Sequence, residues 1–516
     1  MKNLKRLPVL LVCVLLLAAC SNNATNSSTP NNSKQEVTNK PPKWEQNPIE
    51  EFDYEYSEDL KGVVVSYKGE SERVMFPTEI NGDTVKGIGY TENPQKGNVK
   101  EVYIPDGIQV IDNAAFEDYV NLQSVTLPDS VTYVGLAAFE NCKSLKTANF
   151  SKNLKEIDGW AFRNCAVLSE VNLPEGLERI GSEAFKGCVA LQAVTIPSTV
   201  KVIEKEAFHH SEKLADITLA DPESVVDIHG EAFIDTYWYN RHPEGFIRIG
   251  DNLIGYKGDM PSTLTIPEGI KSIGQSAFYS NFYPNPTVDN VVSVIIPEGV
   301  EFIGKEAFAN MASLKSVSLP ESLRTINGAA FAGCTLLEDI TLPEGLTKLG
   351  EGDYFGGVFR GCESLTSIKI PEGIKEIAGH TFEDCISLTE VILPNDLKSI
   401  KQSAFSGCVS LKNIDLPDSI DEIGHGAFSR CDSLTTIVLP EQLKVIEGNT
   451  FKECSNLSSV FIPDGVTEIG QEAFQNCRNL ETVNIPDSVA TIGHQAFEHC
   501  PLDYETKTLI HEIEWN

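Results

Sequence analysis

A 23-residue period dominates this chain and limits what it can fold into. The pair Ala-Phe, or a close variant of it, returns with phenylalanines spaced mostly 23 residues apart. A fixed period of this size predicts a stack of short units, each of which buries its apolar side chains only against its neighbours. The functional surface of such a stack is spread along its length. The regularly spaced phenylalanines are Phe116, Phe139, Phe162, Phe185, Phe208, Phe308, Phe331, Phe359, Phe382, Phe405, Phe428, Phe451, Phe474 and Phe497.

One repeat, residues 385–407, shows what each unit contributes. Leu388 and Val391 have the spacing of a short strand, and Pro394 ends that strand because proline has no N–H to donate to a ladder. A second extended segment follows, and the residues around Phe405 have the spacing of a helical or 3-10 turn. The predicted fold is a β-rich solenoid of ~23-residue coils with short strands and one helical or 3-10 turn per repeat.

The repeated pattern I/L-P-x-x-L/V-x-x-I-x-x-x-A-F-x-x-C-x-x-L resembles the BspA-type leucine-rich repeats of bacterial surface proteins. The resemblance extends from Val99 to Cys500, with about sixteen units. It implies a leucine-rich-repeat array that adheres to host matrix or to other cells, and it names no ligand.

The period and its interruptions divide the chain into segments. Phe278 follows Phe233 after 45 residues instead of 23, which indicates an inserted hairpin. Insertions in solenoids often lie on the binding face, and a tolerated spacer is the alternative interpretation. The expected segments are a β-rich N-terminal cap (49–104), a first repeat block (105–235), the hairpin insertion (236–264), a second repeat block (265–500) and a C-terminal cap or tail (501–516).

The N-terminus has the features of an export signal. Residues 1–19 combine a basic start with an apolar run. The sequence Leu-Ala-Ala-Cys that ends at Cys20 resembles the lipobox of bacterial lipoproteins, which implies lipidation of Cys20. Residues 20–48 are rich in Asn, Ser and Thr and are expected to form a flexible tether. We therefore expect a membrane anchor at the outer face of a bacterial plasma membrane, with a Gram-positive host favoured; a secreted protein with an incidental cysteine is the alternative.

The charge of the chain restricts its partners. The formal net charge is −33, which disfavours nucleic acid and direct adsorption to anionic lipid. An acidic residue follows the strand-ending proline in many repeats. The ordinary preference of acidic residues for turns is enough to explain this column. A basic partner, or one bridged by cations, would also complement its negative charge. Its members are Asp106, Asp129, Glu175, Glu268, Glu298, Glu321, Glu344, Glu372, Asp418, Glu441, Asp464 and Asp487.

A column of cysteines lies three residues after the phenylalanines. We expect buried free thiols, because cysteine is a small apolar residue and stacked parallel side chains are poorly oriented for disulfides. Disulfide bonds are the alternative in an exported protein. The column comprises Cys142, Cys165, Cys188, Cys334, Cys362, Cys385, Cys408, Cys431, Cys454, Cys477 and Cys500.

The outward positions of the first strand are mostly small and polar, with three exceptions on nearby coils. Ile392, Val438 and Phe461 are predicted to expose apolar side chains there. Together with Trp238 and Tyr239 of the insertion, they form the predicted binding surface. Isolated apolar residues are also common on ordinary protein surfaces, so an incidental exposure remains the alternative.

No residue pattern predicts catalysis or a cofactor. His209 and His210 are the nearest approach to a metal cluster, but adjacent histidines are usually solvated turn residues, so no metal site is expected. The predicted function is a non-enzymatic cell-surface lipoprotein that binds an extracellular protein or glycan, and adheres, through the solenoid surface. The alternative is a structural envelope spacer or assembly protein without a discrete ligand.

Overall fold

The chain winds into a β-solenoid in which nearly every coil contributes two short strands, one to each of two interrupted ladders; the coil that carries Asp415 has only the second strand. The computed structural model describes residues 42–279, 288–351 and 356–514. The predicted signal peptide, Cys20 and the tether up to residue 41 lie outside the described residues. Within the described ranges, no helix is both long enough and apolar enough to cross a membrane.

The first ladder consists of strands of two to four residues that pair in parallel with their counterparts one coil away. Because side chains alternate between the faces of a strand, Val391 is buried while Ile392 beside it is exposed. The strands of this ladder are Arg73–Met75, Glu101–Tyr103, Ser124–Thr126, Thr147–Asn149, Glu170–Val171, Ala193–Ile196, Asp216–Leu219, Thr263–Thr265, Ser293–Ile295, Ser316–Ser318, Asp339–Ile340, Ser367–Lys369, Glu390–Ile392, Thr436–Val438, Ser459–Phe461 and Thr482–Asn484.

The second ladder is made almost entirely of two-residue strands whose second residue is buried. These strands also pair in parallel between coils. They are Asp83–Ile88, Val110–Ile111, Tyr133–Val134, Glu156–Ile157, Arg179–Ile180, Val202–Ile203, Asp227–Ile228, Asn252–Lys257, Ser272–Ile273, Phe302–Ile303, Thr325–Ile326, Lys348–Leu349, Glu376–Ile377, Ser399–Ile400, Glu422–Ile423, Val445–Ile446, Glu468–Ile469 and Thr491–Ile492.

The third side of each coil, around the phenylalanine, is a ladder of turns. The amides of Ser403, Phe405 and Gly407 donate to carbonyl oxygens of the next coil at 2.8–2.9 Å. The intervening amides of Ala404 and Ser406 donate to carbonyls three residues back in their own coil, at 3.1–3.2 Å. Ser403 (φ 52°) and Gly407 (φ 74°) are left-handed, a conformation that interrupts a right-handed helix.

The helical or 3-10 turn expected in each repeat is therefore a minor feature of this side of the coil, limited to single turns closed by hydrogen bonds three residues back. Its spacing does place the alanine and phenylalanine inward, but alternate amides bond to the neighbouring coil instead of continuing a helix. Within the described ranges the 3-10 segments lie away from the phenylalanine column, at Ile49–Glu51, Lys96–Asn98 and Val288–Asn290.

The phenylalanine rings form two continuous stacks along the interior. Neighbouring ring centroids lie 5.0–5.9 Å apart, and their planes differ by 4–16°. One stack runs from Phe116 to Phe233 and the other from Phe278 to Phe497. The 23-residue period is thus the spacing that brings equivalent rings into contact.

Both ends of the array are covered. At the N-terminal end, the antiparallel strands Phe52–Ser57 and Gly62–Tyr67 and the short strand Glu79–Ile80 precede the first coils. Phe76 contacts the edge of Phe116, the first ring of the stack, with centroids 5.7 Å apart. At the other end, the helix Tyr504–Glu514 packs its buried Ile510 against the core.

Between the two phenylalanine stacks lie a four-residue helix, Tyr237–Asn240, and a hairpin. The strands Gly245–Ile249 and Asn252–Lys257 pair antiparallel. The second of them also pairs in parallel with Ser272–Ile273, so the hairpin is joined to the second ladder.

The eleven cysteines of the column are buried free thiols, as the sequence predicted. Each Sγ donates a hydrogen bond to the carbonyl oxygen of a phenylalanine in the preceding coil; Cys431, for example, lies 3.2 Å from the oxygen of Phe405. Ser211 occupies the same position and makes the equivalent bond to Phe185 at 3.0 Å. The column therefore satisfies backbone acceptors inside the core.

Replacing Phe451 with alanine should destabilise the protein by about 3–5 kcal/mol, because it opens a cavity within a stack of buried rings. Phe461→Ala is the matched control: its side chain is 59% exposed, so the expected change is within about 0.5 kcal/mol. Urea-induced unfolding followed by circular dichroism measures both. Equal losses of stability would contradict the assignment of Phe451 to the core.

The column thiols other than Cys500, whose pKa is lowered by its hydrogen bond with Cys477, should resist Ellman's reagent at pH 8 in the folded protein, and all of them should react fully in guanidinium. Burial raises the pKa of the Cys188 and Cys454 thiols to about 12, so almost no thiolate is present. Peptide mapping by mass spectrometry identifies which cysteines react. Rapid modification of Cys454 in the folded protein would contradict this assignment.

Candidate functional site

Ile392, Val438 and Phe461 form an exposed apolar column on the outer face of the first ladder. Their side chains are 50%, 74% and 59% exposed, respectively. Val438 and Phe461 lie directly opposite each other in the paired strands Thr436–Val438 and Ser459–Phe461. Asp415 occupies the equivalent position on the coil between Ile392 and Val438. The three predicted residues therefore belong to one column over four consecutive coils, which we call the apolar column.

Polar residues border the apolar column. Asn484 follows Phe461 in the same column and is paired with it in the ladder. The side-chain amide of Asn484 donates to the carbonyl of Ile462, and its oxygen accepts from the amide of Ile462, both at 2.8 Å. This side chain is thereby held against the backbone at one end of the column.

One further exposed residue of the same type was missing from the sequence prediction. Ile295 lies at the outward end of the strand Ser293–Ile295 and is 43% exposed. Because Ile295 lies between two buried apolar residues, Val294 and Ile296, the alternation of side chains along a strand would have predicted that it faces outward. Its ladder neighbour Ser318 is polar, so Ile295 is an exposed apolar residue outside the apolar column.

The acidic residues that follow the strand-ending prolines are all exposed. Two of them make ion pairs within the array, Asp129 with Lys152 and Glu344 with Lys369, both at 2.5 Å. Glu441 and Asp464 come three residues after Val438 and Phe461, respectively. An acidic edge therefore accompanies the apolar column.

Trp238 and Tyr239 lie on the short helix of the insertion, and both are half-buried against the first part of the core. The Trp238 ring meets the edge of Phe233 at 6.0 Å between centroids, and its backbone amide donates to Leu214 at 2.8 Å. Tyr239 lines a pocket of about 450 Å³ beneath the hairpin, with Lys257 Nζ 5.9 Å from its ring. These contacts anchor the insertion, and the structure does not bring the pair to the apolar column.

Repeat register brings His209 and His210 next to Asp235. The Nε2 atom of His209 and the Nδ1 atom of His210 lie 3.3 and 3.4 Å from Oδ2 of Asp235. On its other side, His209 Nδ1 lies 2.9 Å from Oε2 of Glu206, which also receives Lys186. Burial acts to raise the pKa of Glu206, but the hydrogen bonds from Lys186 and His209 outweigh it and hold that pKa below its usual range.

Sequence reasoning singled out the two histidines but set them aside as solvated turn residues, and it missed Asp235. The signal was positional: His210 and Asp235 each lie two residues after a column phenylalanine, in the left-handed conformation. Equivalent positions of adjacent coils are neighbours. The 25-residue spacing between Phe208 and Phe233 obscured that relation in the sequence.

A model of the BspA type Leucine rich repeat region (6 copies) matches the chain over residues 88–215, 161–283, 287–394 and 375–503. These overlapping matches cover most of the chain and leave both termini outside. No curated protein is significantly similar to it in sequence.

Among solved structures, a leucine-rich repeat protein from Bacteroides ovatus is 26% identical, covering 86% of this chain and 95% of that one with a TM-score of 0.38. A leucine rich cell surface protein from Faecalibacterium prausnitzii is also 26% identical and covers 69% of this chain and 96% of that one, with a TM-score of 0.31. TM-scores this low carry no inference about function. The repeat model, matched over far more than half of the residues, identifies this chain as a member of the BspA-type leucine-rich-repeat family.

Proposed function

We propose that this protein is a non-enzymatic, lipid-anchored binding or adhesion protein of a bacterial cell surface. Its partner is an extracellular protein, recognised through the apolar column Ile392, Val438 and Phe461. The family is one of leucine-rich-repeat solenoids, which supports a role as a binding scaffold. The host is Gram-positive in this proposal, since a long polar tether suits a thick wall.

The exposure of the apolar column carries this proposal. Val438 and Phe461 are adjacent, and both are more than half exposed on a face whose other outward residues are mostly polar. Each apolar side chain of this size contributes about 1.5–3 kcal/mol to the free energy of binding when a partner buries it fully. Adjacent apolar side chains on a regular, rigid ladder offer a contact that needs little reordering on binding.

The charge of the chain supports a partner with basic residues around an apolar contact. Glu441 and Asp464 lie beside the column, and the formal net charge is −33. A protein surface carrying Lys or Arg beside apolar side chains complements both features, whereas nucleic acid does not. A glycan that stacks on Phe461 is the other ligand class for the same residue.

The apolar column should be required for binding to an immobilised panel of matrix proteins, mucins and wall glycans. Phe461→Ser and Val438→Ser should each weaken saturable binding at least about 10-fold, because the contact loses on the order of 1.4 kcal/mol. Surface plasmon resonance at low and high salt measures the affinity, and salt should weaken it.

Ile295→Ser is the matched control, since it removes an exposed isoleucine from the same outward position of a distant coil. Thermal unfolding must be unchanged in all three variants. Equal affinity of Phe461→Ser and the parent would place the binding face elsewhere. If the parent protein binds no member of the panel, the result would favour the alternative function, a structural spacer of the cell envelope.

The proposed anchor predicts a second outcome, in cells. Cys20→Ala should move the protein from the detergent-extracted membrane fraction to the soluble fraction, because no acyl chain can then be attached there. Cys13→Ala keeps Cys20 and should remain in the membrane fraction. Immunoblots of fractionated cells measure both variants, and identical distributions would contradict lipidation at Cys20.

A further inference from the structure

We propose that His209, His210 and Asp235 bind a divalent transition-metal ion of the zinc class. The three ligand atoms lie within 4.8 Å of one another, and two of the separations are 3.3 and 3.4 Å. Tetrahedral zinc, with bonds of about 2.0–2.1 Å, places its ligand atoms about 3.3 Å apart. Two of the three ligand-atom separations, those from each histidine to Asp235, therefore already match the distance that the ion requires.

The hydrogen-bonding capacity of His209 also favours a cation at this point. Its Nδ1 faces Glu206 at 2.9 Å and its Nε2 faces Asp235 at 3.3 Å. A neutral imidazole has one N–H, so only one of these carboxylates can receive a hydrogen bond from it. When Nδ1 donates to Glu206, the Nε2 lone pair points toward the carboxylate of Asp235. A metal ion bound at this point accepts electron pairs from both Nε2 and that carboxylate.

The rings of His209 and His210 are stacked, with centroids 3.9 Å apart and planes inclined by 19°. The lone pair of a ring nitrogen lies in the plane of the ring, so two nearly parallel rings do not point at one ion. Because His210 is exposed, its ring can turn out of the stack and direct its nitrogen at the ion that His209 and Asp235 hold.

Glu206 supplies the support that metal-binding histidines commonly have. A carboxylate bonded to the distal ring nitrogen fixes the tautomer and orientation of a ligating imidazole. The Glu206 side chain is only 7% exposed and is itself held by Lys186. His209 is 13% exposed, so the ligand nearest this support is also well shielded from solvent.

The same positions on other coils form ladders of amides. Asn141 donates to Asp118, and Asn164 donates to Asn141, both at 3.0 Å. In these ladders a side-chain N–H of one coil donates to a side-chain oxygen of the adjacent coil. At His210 and Asp235 this pattern is replaced by an imidazole and a carboxylate, the donor types that zinc, nickel and copper accept.

The outer side of the cluster faces solvent. His210 is 52% exposed and Asp235 is 30% exposed. A water molecule, or a side chain of a partner, would complete four-coordination from that side. The nitrogen ligands favour zinc-class ions over calcium, which prefers oxygen.

The test is zinc binding by the folded chain, purified with an affinity tag that lacks histidine. After chelation and reloading, the parent protein should retain one equivalent of zinc, measured by elemental analysis and by calorimetric titration. His210→Ala and Asp235→Asn should lower the affinity roughly 10–100-fold or more. His380→Ala is the matched control, because His380 is likewise paired with a glutamate, Glu383, at 3.1 Å; it should bind zinc as the parent does.

Cobalt provides a second readout that separates this site from the thiols. A visible ligand-field spectrum without thiolate charge-transfer bands is expected, and it should be lost in Asp235→Asn. His210 is exposed, so its replacement should leave the fold intact, which thermal unfolding without metal verifies. Absence of stoichiometric zinc in the parent, or equal zinc affinity in the parent, His210→Ala and Asp235→Asn, would overturn the proposal.

Discussion

Contact between equivalent residues of successive coils is the constraint on which the rest of this structure depends. A single coil has two strands of a few residues and one phenylalanine, which is too little to form a core alone. The next coil supplies the partner for most elements: a strand for most strands, an acceptor for alternate turn amides, and, within each stack, a ring at 5.0–5.9 Å. Aromatic residues of the N-terminal cap and a C-terminal helix then cover the two exposed ends.

The repeat made the core predictable from the sequence. Inward positions such as Val391, Phe405 and Cys431 followed from spacing alone, and the thiols are free and buried as expected. The predicted helical turn is only a minor feature of each coil, because spacing reports only which side chains face inward. It does not reveal that Ser403 and Gly407 are left-handed and direct alternate amides to the neighbouring coil.

The candidate sites were only partly predictable, because the relevant neighbours are distant in sequence. Val438 and Phe461 differ by one full period, so their adjacency followed from the register. Asp235 joins the histidines across a coil of irregular length, and that contact was not predicted. Trp238 and Tyr239 were predicted as part of the binding surface because they lie in the insertion. The helix that carries them packs both side chains partly against the core.

The central functional claim is that the apolar column contacts the partner. A photo-crosslinking amino acid placed at position 461, and in a matched protein at position 295, tests it on intact cells exposed to the same matrix proteins and mucins. A discrete adduct with one component from position 461, and none from position 295, is the predicted result. Equal adducts from both positions, or none from position 461 while the parent protein binds that component, would contradict it.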